Sequence, residues 1–286
     1  MTDEPTRVRR TDDRLGLSVL RASLSPRTLV TYARDHVTVR TPSRPDYHDG
    51  NTLDLEGAPS PGSLDGWIER FRSTIGNLGV RHVQLRWETP GESDAIDAAL
   101  QAAVRERGLE LLATRILLLE QLRPVAGAPA EILALEPPNG TGGPVDRRWH
   151  GATVLYRYDA EEPGETGWRF WNEEFVAFSV EVQGELARAG RARVWLAMRH
   201  GVPVGRLTCT HDRQGLAVVE DVVVHPAHRR LGVATALTHT AVADRCADEP
   251  EGRVGLGVVP DSVAERLYRR LGFGPHATVW TARTAG

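Results

Sequence analysis

The stretch Glu220-Asp221-Val222-Val223-Val224-His225-Pro226-Ala227-His228-Arg229-Arg230-Leu231-Gly232-Val233-Ala234-Thr235 admits few local folds. An apolar strand ends at Val224, and a proline-containing turn follows. Arg229-x-x-Gly232-x-Ala234 then opens an amphipathic helix. A strand, a tight small-residue turn and a helix start together make a cradle for an anion. The first helical N–H groups have no intrahelical acceptor, and the helix dipole adds partial positive charge. Gly232 and Ala234 lack bulk, so a pyrophosphate can approach the backbone closely. Arg229 and Arg230 can add charge-assisted hydrogen bonds. An ordinary strand–turn–helix with a glycine in its turn reads the same way, because a short glycine pattern alone is weak evidence.

The residues downstream separate the two readings. Val254–Val259 form a second short apolar strand, and Asp261 is the expected N-cap of a helix running to about Arg270. Ala264, Leu267, Tyr268 and Leu271 lie on one face of that helix, Gly272 stops it, and Phe273 leads into a last strand near 276–282. The order strand, glycine-loop helix, strand, helix, Tyr-x-x-x-Gly-Phe, strand resembles the acetyl-CoA-dependent N-acetyltransferases of the GNAT superfamily. Val222–Pro226, Arg229-x-x-Gly232-x-Ala234 and Ala264-x-x-Leu267-Tyr268-x-x-Leu271-Gly272-Phe273 carry the resemblance, in order and at family-like spacing. Asp261 departs from it, since the family often has Asn there, and an ionised Asp donates no hydrogen bond to a cofactor.

Composition sets the broad class. The chain has 286 residues, room for about two domains. Charged residues make up 26% and apolar ones 41%, the balance of a cytoplasmic globular enzyme. A net charge of −3 predicts no strong attraction to nucleic acid. There is no lysine, and all 35 basic residues are arginine, which coding bias in a GC-rich genome explains most simply. Cys209 and Cys246 are isolated and make neither a disulfide framework nor a zinc site. His225 and His228 read as turn residues, with nothing nearby to complete a metal set, so no metal is expected. No run approaches a membrane span, and the N-terminus has no apolar signal core.

The chain divides in the Pro- and Gly-rich segment 122–145, giving a first domain over 1–125 and a second over 126–286. Before the division, periodicity predicts strands at 36–41 and 52–55, a helix at 64–76, a strand at 80–86, a helix at 94–107 and a strand at 109–119. After it come a strand at 130–136, helices at 146–158 and 171–188, and strands at 193–199, 203–210 and 216–224. Both halves mix strands and helices, so the expected class is α/β (α+β): two GNAT-like domains, each a mixed, mostly antiparallel twisted sheet flanked by helices.

The halves echo one another. Aligning Gly108 with Gly272 brings Arg105 onto Arg269, Leu109 onto Phe273, Ala113 onto Ala277, Thr114 onto Thr278 and Asp97 onto Asp261. Two copies of one fold explain this, and chance likeness of two helix–glycine–strand units is the alternative. The copies differ where chemistry would be. Val104 stands opposite Tyr268, and the segment before the helix at 64 carries Pro59 and Pro61, each lacking an N–H donor. The first half thus reads as a degenerate copy without a phosphate cradle, like those of tandem GNAT proteins with one working half. Its expected job is to cover an edge or face of the second half and to wall the acceptor cleft. Its Tyr47-His48-Asp49-Gly50-Asn51 cluster reads as a tight turn, with substrate contact as the minority reading.

The resemblance implies direct attack of an amine on the acetyl-CoA thioester. Val222, Val223 and Val224 would hold the pantetheine arm if their strand parts from 254–259, and a backbone N–H among them would face the thioester oxygen. Arg229, Arg230, Leu231, Gly232, Val233, Ala234 and Thr235 would hold the pyrophosphate, with Asp261, Ala264 and Tyr268 also lining the cofactor. Tyr268 is placed to protonate the leaving thiolate; a core aromatic is its bland reading. Glu220 and Asp221 are adjacent on a strand, so they are expected on opposite faces. Glu220, sharing a side with Val222 and Val224, is the preferred base. Solvated strand-edge carboxylates, ordered water as the proton acceptor and His225 are the alternatives. In helix 171–188, Trp171, Phe175, Phe178, Val182 and Leu186 form an apolar stripe, core first and pocket lining second. Glu173, Glu174, Glu181 and Glu185 lie mostly off it, either to draw in a cationic amine or as a solvated face. Trp168-Arg169-Phe170-Trp171 can form a lid or packing surface. The functional reading is an N-acetyltransferase acting on a small-molecule or peptide amine, as a monomer or weak homodimer. A non-catalytic acetyl-CoA-binding module and an interaction scaffold are the competing classes.

Overall fold

A computed structural model describes residues 14–92, 95–127, 129–138, 147–161, 173–212 and 214–284. The Trp168–Trp171 cluster lies outside them. Among the described residues, the first half contains helix α1 (Leu15–Arg21), strands β1 (Leu29–Tyr32), β2 (His36–Arg40) and β3 (Thr52–Leu55), helix α2 (Leu64–Thr74), strand β4 (Gln84–Pro90), helix α3 (Ala98–Glu106) and strand β5 (Leu109–Leu119). The second contains β6 (Glu131–Leu135), α4 (Arg147–Glu161), α5 (Glu173–Arg188), β7 (Ala192–Arg199), β8 (Val202–His211), β9 (Leu216–Val224), α6 (Val233–Asp248), β10 (Arg253–Val258), α7 (Val263–Leu271) and β11 (Phe273–Thr284).

The strands form one mixed, largely antiparallel sheet in the order β1-β2-β3-β4-β11-β5-β10-β9-β8-β7-β6. The two halves trade their final strands. β11 lies between β4 and β5 of the first half, and β5 lies between β11 and β10 of the second. The echo seen in sequence is thereby built into the sheet centre. α3 and α7 both end at a left-handed glycine, Gly108 (φ 68°) and Gly272 (φ 101°), and each turns its chain into one of the traded strands. β5 and β11 then run antiparallel side by side, from Leu109 opposite Thr284 through Thr114 opposite Val279. Because the echo equates Thr114 with Thr278, a local two-fold axis passes through this pairing.

Period-2 alternation in the traded strands sends side chains into different cores. Ile116, Ala277 and Val279 pack under α1 with Leu17 and Val19. Leu109, Trp280 and Ala282 face α2 and α3, whose Leu64, Phe71, Leu100 and Val104 are buried. Leu117 joins the cluster of α6 and α7 with Leu237, Tyr268 and Leu271. So α2, α3, α6 and α7 cover one face, while α1, α4 and α5 cover the other.

Helix α1 and strand β1 are additions to the sequence reading. α1 spans only seven residues, too short to display a helical period. It starts across the point where β3 and β4 part: Arg14 donates to the Leu55 carbonyl at 2.9 Å, and Leu17 N–H donates to Glu88 at 3.1 Å.

Candidate active site

Parallel strands β9 and β10 pair only from Leu216 opposite Arg253 to Val218 opposite Gly255. Beyond that they separate, and Leu256–Val258 has only β5 beside it. The gap expected between these strands is present. His225 N–H donates to the Val204 carbonyl on β8 at 2.9 Å. By strand alternation, the N–H groups of Val222 and Val224 therefore point into the gap, while that of Val223 points to β8.

At the mouth of the gap the chain builds the expected helix start. His225 caps a short 3-10 turn over Pro226–His228, its ring nitrogen accepting from Ala227 N–H at 3.2 Å, which confirms its turn role. Arg229 Nε returns to the Val224 carbonyl at 3.1 Å and ties the loop to the strand. Arg230 (φ 62°) and Gly232 (φ 82°) are left-handed on either side of exposed Leu231. No side chain caps α6, and its first helical bond runs from Ala236 N–H to the Gly232 carbonyl at 3.0 Å. The N–H groups of Val233, Ala234 and Thr235 precede that bond and have no intrahelical acceptor. A Cβ on Gly232 would meet nothing closer than Pro129 at 3.7 Å, so the space is open to a ligand. In the first half the corresponding turn is closed. Pro61 removes one donor, and Ser60 accepts from Ser63 N–H at 3.2 Å.

A cavity of about 580 Å³ lies beneath the α1/α5 face and reaches through the gap to Tyr268. Both halves wall it. The second half contributes Phe175, Phe178, Gln183, Glu220, Asp221 and Tyr268; the first contributes Ser23, Tyr47, Asp49, Arg86 and Thr114. Tyr268 is buried in the α7 core, its ring edge-on to Phe273 at 6.0 Å, and it also lines the cavity. It is thus a core aromatic that also borders the cavity. Ala264 lines the same wall, whereas Arg229–Thr235 lie outside the cavity at the gap mouth.

Two expectations are corrected here. Glu220 and Asp221 do not point to opposite faces. Asp221 is left-handed (φ 49°), and the β8–β9 register slips between Arg206 and Thr208, so the strand bulges there. Both carboxylates line the cavity; Val222 borders it too and, with Val224, packs against the α6 cluster. Asp261 does not cap α7. It too is left-handed (φ 61°), a conformation an N-cap does not adopt. Ser262 is the cap, accepting from Glu265 N–H at 3.1 Å, while Glu265 accepts from Asp261 N–H at 2.6 Å. The Ser-x-x-Glu capping signal was present in the sequence one residue further on.

The stripe on α5 is pocket lining as well as core, since Phe175, Phe178, Val182 and Leu186 all face the cavity. Glu181 and Glu185 lie off it and pair with Arg27 of the first half, so they stitch the halves together rather than draw in an amine. Tyr47 packs edge-on against Phe178 at 5.1 Å, and a Cβ on Gly50 would collide with the Tyr47 ring. The Tyr47–Asn51 cluster makes the expected tight turn, Asn51 N–H donating to the His48 carbonyl at 3.0 Å, and Tyr47 and Asp49 line the cavity.

Burial pushes the Glu220 carboxyl well above the ordinary range, and the charges of Asp221 and Asp49 push it further, against a hydrogen bond from Ser23. Burial also raises Tyr47, and it lifts the Cys209 thiol to about 12, which leaves that cysteine unreactive. Sequence reasoning passed over Gln183 and Arg206. Gln183 donates to Asp221 at 2.5 Å and accepts from Arg206 at 2.5 Å. Their only trace in the sequence was polarity within an apolar helix and strand. Among the described residues, no group of three His, Cys, Asp or Glu side chains could hold a metal ion, and no helix is long and apolar enough to cross a membrane.

Comparison with known proteins agrees with this geometry. Residues 156–273 match the family model described as Acetyltransferase (GNAT) family. Among curated proteins, none matches. Among solved structures, a functionally unknown conserved protein from Staphylococcus epidermidis aligns with TM-score 0.68 and 14% identity over 89% of this chain and 92% of that one. A GCN5-related N-acetyltransferase from Kribbella flavida aligns at 0.58 and 22% over 95% and 93%. A tandem GNAT protein from the clavulanic acid biosynthesis pathway aligns at 0.51 and 17% over 92% and 85%. At these identities the structural likenesses speak for the fold, and they span both halves. Residues 156–273 thus carry a GNAT acetyltransferase domain, of a family whose general chemistry is acyl transfer, within a tandem GNAT-like fold.

Proposed function

We propose that the protein is a working N-acetyltransferase that moves an acetyl group from acetyl-CoA to an amine of a small molecule or peptide. One observation carries this reading: Glu220 and Tyr268 line a single cavity that meets the β9–β10 gap, with the open start of α6 at its mouth. The second half, 126–286, holds the chemistry, and the first, 1–125, supplies part of the acceptor wall.

The residues divide the work as follows. Val233, Ala234 and Thr235 N–H groups, with Arg229 and Arg230, hold the pyrophosphate. Val222 and Val224 pair with the pantetheine amides along the open edge of β9. Asp261 and Ala264 flank the thioester end of the cofactor near Tyr268. Glu220 takes the proton from the attacking ammonium or amine, and its raised proton affinity makes it a stronger base than a solvated carboxylate. The amine nitrogen bonds to the acetyl carbon, and a backbone N–H facing the gap steadies the oxyanion. The C–S bond then breaks, and the Tyr268 hydroxyl protonates the departing thiolate.

Thiol release from acetyl-CoA across a panel of amines tests the proposal. Wild type should release thiol with at least one class of amine. Tyr268→Phe should lower kcat about 10²-fold, the low end of what a general acid contributes, with unchanged acetyl-CoA affinity. Turnover equal to wild type would remove Tyr268 from the mechanism. Binding of acetyl-CoA with no turnover on any amine would point instead to a non-catalytic binding module.

A further inference from the structure

A chain of hydrogen bonds runs from the buried interior to the two cavity carboxylates. Arg206 on β8 is 1% exposed, and Gln183 on α5 is 6% exposed. Arg206 donates to the Gln183 side-chain oxygen at 2.5 Å, to Thr208 at 2.8 Å and to the Ala152 carbonyl at 3.3 Å. Gln183 turns its amide nitrogen to Asp221 at 2.5 Å. With a guanidinium on one side and a carboxylate on the other, the amide has one favourable orientation, oxygen to Arg206 and nitrogen to Asp221. The bulge that leaves Asp221 left-handed is what brings its carboxylate to this donor.

We propose that Gln183 is a positioning residue, whose amide relays the buried charge of Arg206 to Asp221 and so keeps Asp221 ionised while Glu220 carries the mobile proton. The inference rests on the acyl-transfer reading above. A donor backed by a guanidinium favours the ionised carboxylate, and polarised chains of this kind strengthen one another in a buried setting. A fixed negative charge on Asp221 then raises the proton affinity of its neighbour. The other groups acting on Glu220 are Asp49 from the first half, which adds to the effect, and the Ser23 hydroxyl, which opposes it. The structure therefore assigns unlike duties to two adjacent carboxylates: Asp221 is the held anion, and Glu220 is the exchanging base.

Gln183→Met keeps the volume and removes both hydrogen bonds; Gln183→Ala removes the same bonds if the thioether does not pack. In either variant Asp221 takes up a proton more readily, so its repulsion of Glu220 weakens. The acid limb of kcat/KM should move to lower pH by roughly half a unit to one unit, the scale of one relieved like-charge contact. KM for acetyl-CoA should stay at its wild-type value. The carbon-13 NMR titration of the Glu220 carboxyl should move in the same direction, and it needs no turnover. A purely structural role would lower activity and stability without displacing either curve. Wild type inactive on every amine sinks the acyl-transfer reading, and the NMR titration then decides the relay. An active wild type whose variants titrate Glu220 at the unchanged pH sinks the relay alone.

Discussion

His48 and His82 show how a single side chain of the first half couples the fold to pH. Their rings stack at 3.8 Å with an interplanar angle of 11°, and His82 meets the Asn51 carbonyl at 3.1 Å. Burial penalises the cation, so His48 is pushed down from 6.5 to about 4, and His82 moves in the same direction. In the unfolded chain both rings take up protons near the ordinary value. Between that value and the folded one, the unfolded state binds more protons, so stability falls as pH falls through this window. Glu220 acts in the opposite sense, since its raised proton affinity favours the folded state on acidification. A variant must therefore isolate the imidazoles. The urea midpoint of wild type should drop as pH is lowered from about 7 to about 5, and His48→Phe, which keeps the stack, should flatten that slope. Equal slopes would show that the pair does not titrate with unfolding. None of this was legible in the sequence, where Tyr47–Asn51 read as a tight turn or a substrate contact and nothing pointed to a histidine stack. The stacking partner of His48 lies on a different segment, and only packing brings it close.

At the level of elements, what could be read was whatever repeats with a period. The runs at 109–119, 216–224 and 233–248 show their strand and helix patterns plainly, and the glycines after α3 and α7 mark where those helices stop. The bulge at Asp221 left no such trace. Two adjacent carboxylates in an apolar strand were its one outward sign, and simple alternation then sent them to the wrong faces. The same limit hid Ser262, because Asp261 is an equally good cap by residue type and only its backbone angle excludes it. The geometry of the α6 start was legible, since it consists of missing bulk and missing caps. Gly232 sits at φ 82°, so any side chain there is strained, and a glutamate would also set negative charge where the helix dipole draws an anion. Gly232→Glu should therefore weaken acetyl-CoA binding at least 10-fold by calorimetry, a loss of about 1.4 kcal/mol or more. Gly232→Ala, carrying the strain without the charge, should lose less. If both variants bind like wild type, the phosphates lie elsewhere.

For the whole molecule, the decisive feature is the trade of β5 and β11. A strand's own pattern is the same whichever neighbour it acquires, so the echo in sequence announced two related units but not their interlocking. The exchange gives each half an obligation to the other. Without β11, the long edges of β4 and β5 would face each other unpaired, and the α1 core would lose Ala277 and Val279. Without β5, β10 would lose its antiparallel partner beside the gap, and Leu117 would leave the α6/α7 cluster. Open edges of that length and apolarity invite aggregation. The interface is also where the cavity lies, with Tyr47 and Asp49 opposite Glu220 and Phe178. Fragments 1–125 and 126–286 expressed separately should thus be insoluble or lack a cooperative thermal transition. Expressed together they should assemble one-to-one, regain a single transition and recover acetyl-CoA binding. The second fragment carries every residue assigned to the thioester, so binding by it alone is the sharp alternative outcome. A soluble 126–286 with a cooperative melt and wild-type affinity would mean that β10 and β11 can close the sheet without β5, and the interdependence argued from the strand order would fail.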